Sequence, residues 1–301
     1  MSRPGPARTA STNLLPSSNS RVLDGKVGIV TGASRGIGAA IARNLASKGC
    51  NLVLNYTSES STKKTEDLAA ELKEQYGIQA VPVQASMGSD NGPKHVVEIA
   101  KSHFSHPKSG KFQLDIVINN AGVAGNKLIE DVDVEDFARQ YNINVRGPLL
   151  LVQAAIPYLP TDRSGRIVNV SSVSSSLGYV SQSVYGGTKA ALEAMTRTWS
   201  RELAERATVN AINPGPVATD MYTSTDDAFV KQNKPFIEAT PLSAPRKEID
   251  PEEIWAPLEK TGGRAAYSEE IGGVVGMLCT PEAGWTTGSV ICANGGMKFS
   301  F

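Results

Sequence analysis

From Lys26 onward, short apolar runs alternate with stretches of helical periodicity, and this alternation admits few folds. It is the signature of a parallel sheet covered by helices on both faces. The runs predict strands over 27–31, 51–56, 80–84, 114–119, 166–171, 208–213 and 289–293. Helices are predicted over 37–48, 60–76, 91–104, 133–158, 183–206 and 268–279. Right-handed crossovers between these elements wind them into a doubly wound α/β sheet, mainly parallel and seven-stranded. The stretch 221–264 departs from the alternation, carries Pro235, Pro241, Pro245, Pro251 and Pro257, and is too long for an ordinary connection, which marks it as a lid or binding element.

The 301 residues, 40% of them hydrophobic, suffice for one substantial core, so 23–301 is expected to form a single domain. Residues 1–22 read as a disordered tail rich in Ser, Pro and Arg. A mitochondrial leader shares that bias, but Pro4, Pro6 and Pro16 interrupt an amphipathic helix, and a cytoplasmic protein is the simpler expectation. Thirty basic residues balance thirty acidic ones, which removes any global attraction to nucleic acid or anionic membrane and favours a small-molecule partner. No apolar run reaches the length of a membrane span. Cys50, Cys279 and Cys292 are far apart, and His95, His103 and His106 run into a polar loop, so no metal site is expected.

Between the first strand and the first helix lies TGASRGIG, in which Gly32, Ser34, Arg35, Gly36, Ile37 and Gly38 form a candidate phosphate cradle. The glycines permit a tight turn and close backbone approach, and the helix N-terminus offers N–H groups to a pyrophosphate. The second strand ends in Asn55, Tyr56 and Thr57, where a carboxylate would otherwise hold the free ribose hydroxyls of NAD. With no acid there and Arg35 in the turn as a cation for a 2′-phosphate, the expected cofactor is NADP(H).

One turn of helix places Tyr185 beside Lys189. A neighbouring ammonium favours phenolate, so the Tyr185 pKa is expected below its usual value of about 10, giving a proton donor for near-neutral pH.

In this order and spacing, TGASRGIG (31–38), NNAG (119–122), NVRG (144–147), NVSS (169–172), YGGTK (185–189) and NPGPVATDM (213–221) resemble the short-chain dehydrogenase/reductase family. The resemblance spans Leu23 to Met297 and implies a Rossmann-type fold and an NADP(H)-dependent oxidoreductase that reduces a ketone to a secondary alcohol. It implies that Tyr185 is the acid/base, that Lys189 lowers its pKa and holds the nicotinamide ribose, that Ser172 bonds the substrate oxygen, and that Asn144 anchors a water leading to the lysine. It further assigns Asn120, Ala121 and Gly122 to the adenosine ribose, and Pro214, Gly215, Val217 and Thr219 to the nicotinamide. Where the family usually has an adenine-contacting Asp, this chain has Ser86 and Met87.

The expected substrate pocket comprises Val123, Ala124, Ser174, Leu177, Gly178, Tyr179, Met221 and Tyr222, whose apolar and aromatic character suits a ketone with a ring or alkyl body. The 133–158 and 183–206 helices are the usual dimer faces of the resembling family, which implies a homodimer or homotetramer. Two other readings compete: a reductase of carrier-bound 3-oxoacyl thioesters, with Lys231, Lys234, Arg246 and Lys247 for an acidic carrier, and an NADP(H)-binding regulator without turnover.

Overall fold

Strand β1 (Val27–Val30) is buried along its whole length, and its neighbours explain why. In the computed structural model, which describes residues 21–225, 227–246, 248, 250 and 258–299, β1 lies inside a sheet ordered β3-β2-β1-β4-β5-β6-β7. The other strands are β2 (Asn51–Tyr56), β3 (Ala80–Gln84), β4 (Ile116–Asn119), β5 (Gly165–Val170), β6 (Ala207–Ile212) and β7 (Val290–Ile291). Every pairing is parallel, so each strand reaches the next through a crossover.

Both sheet faces are apolar because both are covered. Val30, Leu52, Leu54, Ile116 and Ile118 point to one core, closed by α1 (Gly36–Ser47) and α2 (Thr62–Tyr76). Ile29, Val53, Val117, Ile167 and Val209 point to the other, closed by α3 (Gly92–Phe104) and the helices that follow β4 and β5. The alternation of side chains along a strand divides adjacent residues such as Ile29 and Val30 between the two cores.

The predicted strands are all present, with ends displaced by at most two residues. The predicted 133–158 helix runs unbroken over 134–158 but changes its winding, as α4 (Val134–Tyr141), a π-turn (Asn142–Arg146), α5 (Gly147–Ala155) and a short 3-10 turn (Ile156–Tyr158). After β5 come α6 (Ser174–Leu177) and α7 (Ser183–Glu202), and after β6 come α8 (Asp220–Thr223), α9 (Asp227–Glu238), α10 (Leu258–Thr261) and α11 (Ser268–Leu278). The Pro-rich stretch thus contains a helix that its proline content hid. Residues 1–20 of the expected tail and most of the IDPEEIWAP segment lie outside the described residues. Arg21 already belongs to the fold, donating to the Tyr76 carbonyl at 2.6 Å.

Strand order reverses between β1 and β4, with the connections from these two strands leading to opposite sides of the sheet. At such a switch point the loops leave a crevice beyond the strand C-termini. A cleft of about 580 Å³ opens there.

Candidate active site

The floor of the cleft is the turn leaving β1. Thr31 ties it to β4: its hydroxyl donates to the Ile118 carbonyl at 3.0 Å and accepts from the Asn120 and Ala121 N–H groups, each at 3.0 Å. The Asn120 amide returns hydrogen bonds to the carbonyls of Thr31 and Gly32 at 2.8 and 3.2 Å. Gly32 and Gly36 adopt φ of +64° and +53°, a region L side chains rarely enter. A Cβ on Gly38 would meet the Gly32 carbonyl oxygen at 2.2 Å, so the turn closes only with glycine there. The first turn of α1 carries no acidic residue and its N-cap makes no side-chain hydrogen bond, leaving the positive end of the helix free for an anion. Arg35 is largely exposed and pairs with Asp220 at 3.4 Å.

The end of β2 contributes Tyr56 and Thr57 to the cleft wall, and Ser86, Met87, Ala121 and Gly122 continue it. Asn55, expected among them, is fully buried behind the wall. Its amide donates to the Tyr56, Val83 and Ala85 carbonyls, and its oxygen accepts weakly from the Gly32 N–H at 3.4 Å. Asn55 therefore braces the glycine turn rather than facing a ligand. Gly36 likewise shapes the turn without lining the cleft. Ser34, Arg35, Ile37, Pro214, Gly215, Val217 and Thr219 do line it.

Helix α7 brings Tyr185 and Lys189 to the opposite wall, and its two glycines make that approach possible. A Cβ on Gly186 would lie 2.5 Å from the Ser174 carbonyl, and one on Gly187 would lie 3.0 Å from the Tyr141 hydroxyl. The helix thus sits directly on α6 and α4, which brings Tyr185 to the same cleft as Ser172. Ser172 donates to the Ser174 hydroxyl and accepts from the Ser174 N–H, both at 3.1 Å. Lys189 is buried, donates to the Val170 carbonyl at 2.8 Å and lies 5.7 Å from the centre of the Tyr185 ring.

The phenol is not acidified as expected. Burial pushes Tyr185 up to about 12, with the Ser172 hydrogen bond opposing in part, and burial pulls Lys189 down to about 8 against the attraction of Glu193. Desolvation is the leading cause of both shifts. Tyr185 therefore keeps its proton at neutral pH, while Lys189 is still mostly charged.

Asn144 sits in the π-turn and is fully buried. Its amide donates to the Val123 carbonyl at 2.8 Å and the Thr188 hydroxyl at 3.1 Å, and its oxygen accepts from the Val123 N–H at 2.9 Å. The side chain is committed to structure. Its backbone carbonyl loses its usual helical donor, because Pro148, four residues on, has no N–H. Interruptions of this kind recur at functional sites. A Cβ on Gly122 would fall 3.4 Å from both Asn144 Oδ1 and Lys189 Nζ, so the absent side chain leaves space where these two groups meet. The glycine turn, the uncompensated helix end and this space fit a nicotinamide dinucleotide.

The cleft also holds amides that no motif announces. Val123, Ala124, Ser174, Tyr179, Met221 and Tyr222 line it as expected, while Leu177 and Gly178 do not. Asn126, Gln182 and Asn233 line it as well, with Phe229, Val230 and Ile237 of α9. Tyr179 packs edge-on against Phe229 and Phe236 at 6.0 and 5.3 Å, fastening α9 over the cleft. Sequence reasoning missed these residues: α9 lay in a stretch read only as a lid, and isolated amides carry no motif. Gln182 had one usable signal, its position one turn before Tyr185.

Residues 26–228 match the family model described as short chain dehydrogenase. The chain is 54% identical to an L-xylulose reductase of Aspergillus niger, over 93% of this chain and 100% of that protein. It is 50% identical to an L-xylo-3-hexulose reductase of Hypocrea jecorina, over 93% and 99%. Among solved structures, a blue fluorescent protein from a metagenomic library in complex with NADPH superposes with a TM-score of 0.77 at 32% identity, covering 92% of this chain and 99% of that one. No helix among the described residues is long and apolar enough to cross a membrane.

Proposed function

The chain belongs to the short-chain dehydrogenase family, and we propose that it reduces the carbonyl of a ketose to a secondary alcohol with NADPH. The observation that carries this reading is the convergence of Tyr185, Ser172 and Lys189 on one wall of a cleft whose floor is a phosphate cradle. The ketose class is supported by the two sugar-reductase relatives and by the amides at the far end of the cleft.

When bound, NADPH supplies the hydride. The backbone of Gly32 to Gly38 and the N-terminus of α1 would hold its pyrophosphate, with Arg35 at the 2′-phosphate. Ala121, Gly122 and Lys189 would hold the riboses, and Pro214, Gly215, Val217 and Thr219 the nicotinamide. Ser172 hydrogen-bonds the substrate oxygen and stabilises the charge that develops on it. Tyr185, protonated at neutral pH, transfers its proton to that oxygen as the alkoxide forms. Lys189, held on the Val170 carbonyl, keeps a positive charge near the resulting phenolate. The Asn144 carbonyl, released by Pro148, offers an anchor for a water that returns a proton toward Lys189.

The pair of Arg35 with Asp220 is exposed and worth roughly 0–1 kcal/mol, so a phosphate dianion can draw Arg35 away from it. A hydrogen bond to a charged group contributes about 1.5–3 kcal/mol. Arg35→Ala is therefore expected to weaken NADPH binding by roughly 10- to 100-fold and NADH binding by less than about threefold. An equal loss for both, measured by fluorescence titration, removes the argument for phosphate recognition.

The direct test of the ketose reading is consumption of NADPH or NADH by the purified protein on L-xylulose, an L-hexulose, an aromatic ketone and a 3-oxoacyl thioester. Preferential use of NADPH on the ketoses supports it. Turnover confined to the thioester would instead establish the carrier reading, and cofactor binding without turnover on any substrate would favour the regulator. Of the basic residues considered for an acidic carrier, Lys234 lies 3.7 Å from Glu238, and Lys247 is outside the described residues.

Val134 and Phe137 are exposed on α4 and Leu149 on α5, and these apolar side chains support assembly as a homodimer or homotetramer through that surface. Buried, unpaired Cys50 and Cys279 suit the reducing cytoplasm.

A further inference from the structure

We propose that Gln182, held by Asn126, accepts a hydrogen bond from a substrate hydroxyl near the carbonyl, so that the cleft selects polyhydroxy ketones over plain ones. This rests on the ketose reading and sharpens it. Gln182 is the residue before α7, three positions ahead of Tyr185, and both line the same cleft. Although it occupies the N-cap position, its side chain makes no capping hydrogen bond, so local helix chemistry does not account for it. It is only 9% exposed, and its Nε2 donates to Asn126 Oδ1 at 2.9 Å. That bond fixes the amide and leaves Oε1 buried without a partner. Both residues line the cleft that holds Ser172 and Tyr185.

Nearly every buried polar atom in a folded protein is satisfied, so an orphaned acceptor in a substrate cleft calls for a donor. A sugar hydroxyl supplies one. A second orphan points the same way: the Tyr222 hydroxyl, contributed by α8, is buried, unpartnered and on the same cleft. A ketone without hydroxyls leaves both groups desolvated and unpaired, and sites built to bond a hydroxyl discriminate strongly against analogues that lack it.

The test compares kcat/KM for L-xylulose with that for 2-pentanone, a ketone of the same carbon count without hydroxyls. Gln182→Met keeps the side-chain volume and removes the acceptor. The ratio of the two efficiencies is expected to fall about tenfold or more, with a smaller fall for Tyr222→Phe. NADPH titration establishes that each variant has a folded cleft. Should Gln182→Met fail that check, Asn126→Ala, which frees the amide to turn, is expected to lower the same ratio. A ratio unchanged within about twofold in a variant that binds NADPH overturns the hydroxyl subsite and leaves the ketose reading standing. Wild-type protein that reduces 2-pentanone as efficiently as L-xylulose overturns both.

Discussion

Tyr185→Phe is expected to lower turnover on a ketose by roughly 10³-fold or more while leaving NADPH affinity within about threefold of wild type. The substitution removes one oxygen from a ring that otherwise keeps its packing on α7. The proton has no equivalent second source at that place. Ser172, an aliphatic hydroxyl, is far too weak an acid to replace it, and Lys189 is turned to the Val170 carbonyl at 2.8 Å. With burial holding Tyr185 up to about 12, the phenol is fully protonated at pH 7. Its loss is therefore a loss of the loaded acid, not of a minor ionisation state. Turnover within tenfold of wild type would show that the proton comes from elsewhere. A parallel collapse of NADPH binding would mean that the ring supports the cofactor side of the cleft.

Gly38→Ala is expected to have a comparably large effect by a different route. The added Cβ would lie 2.2 Å from the Gly32 carbonyl oxygen and 2.7 Å from Asn120 Nδ2. The first contact is with backbone, which cannot swing aside as a flexible side chain would. Either the turn opens or α1 moves away from it. Both disturb the N–H groups offered to a pyrophosphate, and overpacking of this kind costs about 1–3 kcal/mol of stability in addition. NADPH affinity is expected to fall by at least about 100-fold, with a lowered melting temperature. Near-normal cofactor binding by this variant would remove the glycine turn from the proposed cradle. Gly77→Ala provides the comparison: its φ is also positive, at +64°, but a Cβ there meets nothing within 4 Å. It is expected to lose stability without losing cofactor affinity.

Much of the architecture was legible because a parallel sheet buried on both faces requires continuous apolar strands, and runs such as NLVLNY announce themselves. The widening to a π-turn after Tyr141 was not, because apolar periodicity continues through it. Pro148 was its only warning, and a proline near a helix start is ordinary elsewhere. Asn55 was misassigned because a position at the end of β2 does not reveal that its amide will be spent on three carbonyls of its own and the neighbouring strand. The Tyr185 shift came out with the wrong sign because a four-residue spacing reports the charge of Lys189 but not the burial of both groups. The amides of the cleft were not legible either, because Asn126, Gln182 and Asn233 are assembled from three separate segments only by folding.

NADPH carrying deuterium at both C4 positions of its reduced nicotinamide ring, supplied with L-xylulose, gives the decisive readout when the pentitol product is analysed by mass spectrometry and NMR. One deuterium is expected on the former carbonyl carbon and none elsewhere in the product. Wild-type protein that binds NADPH but forms no pentitol, or that forms pentitol without the label, would contradict it.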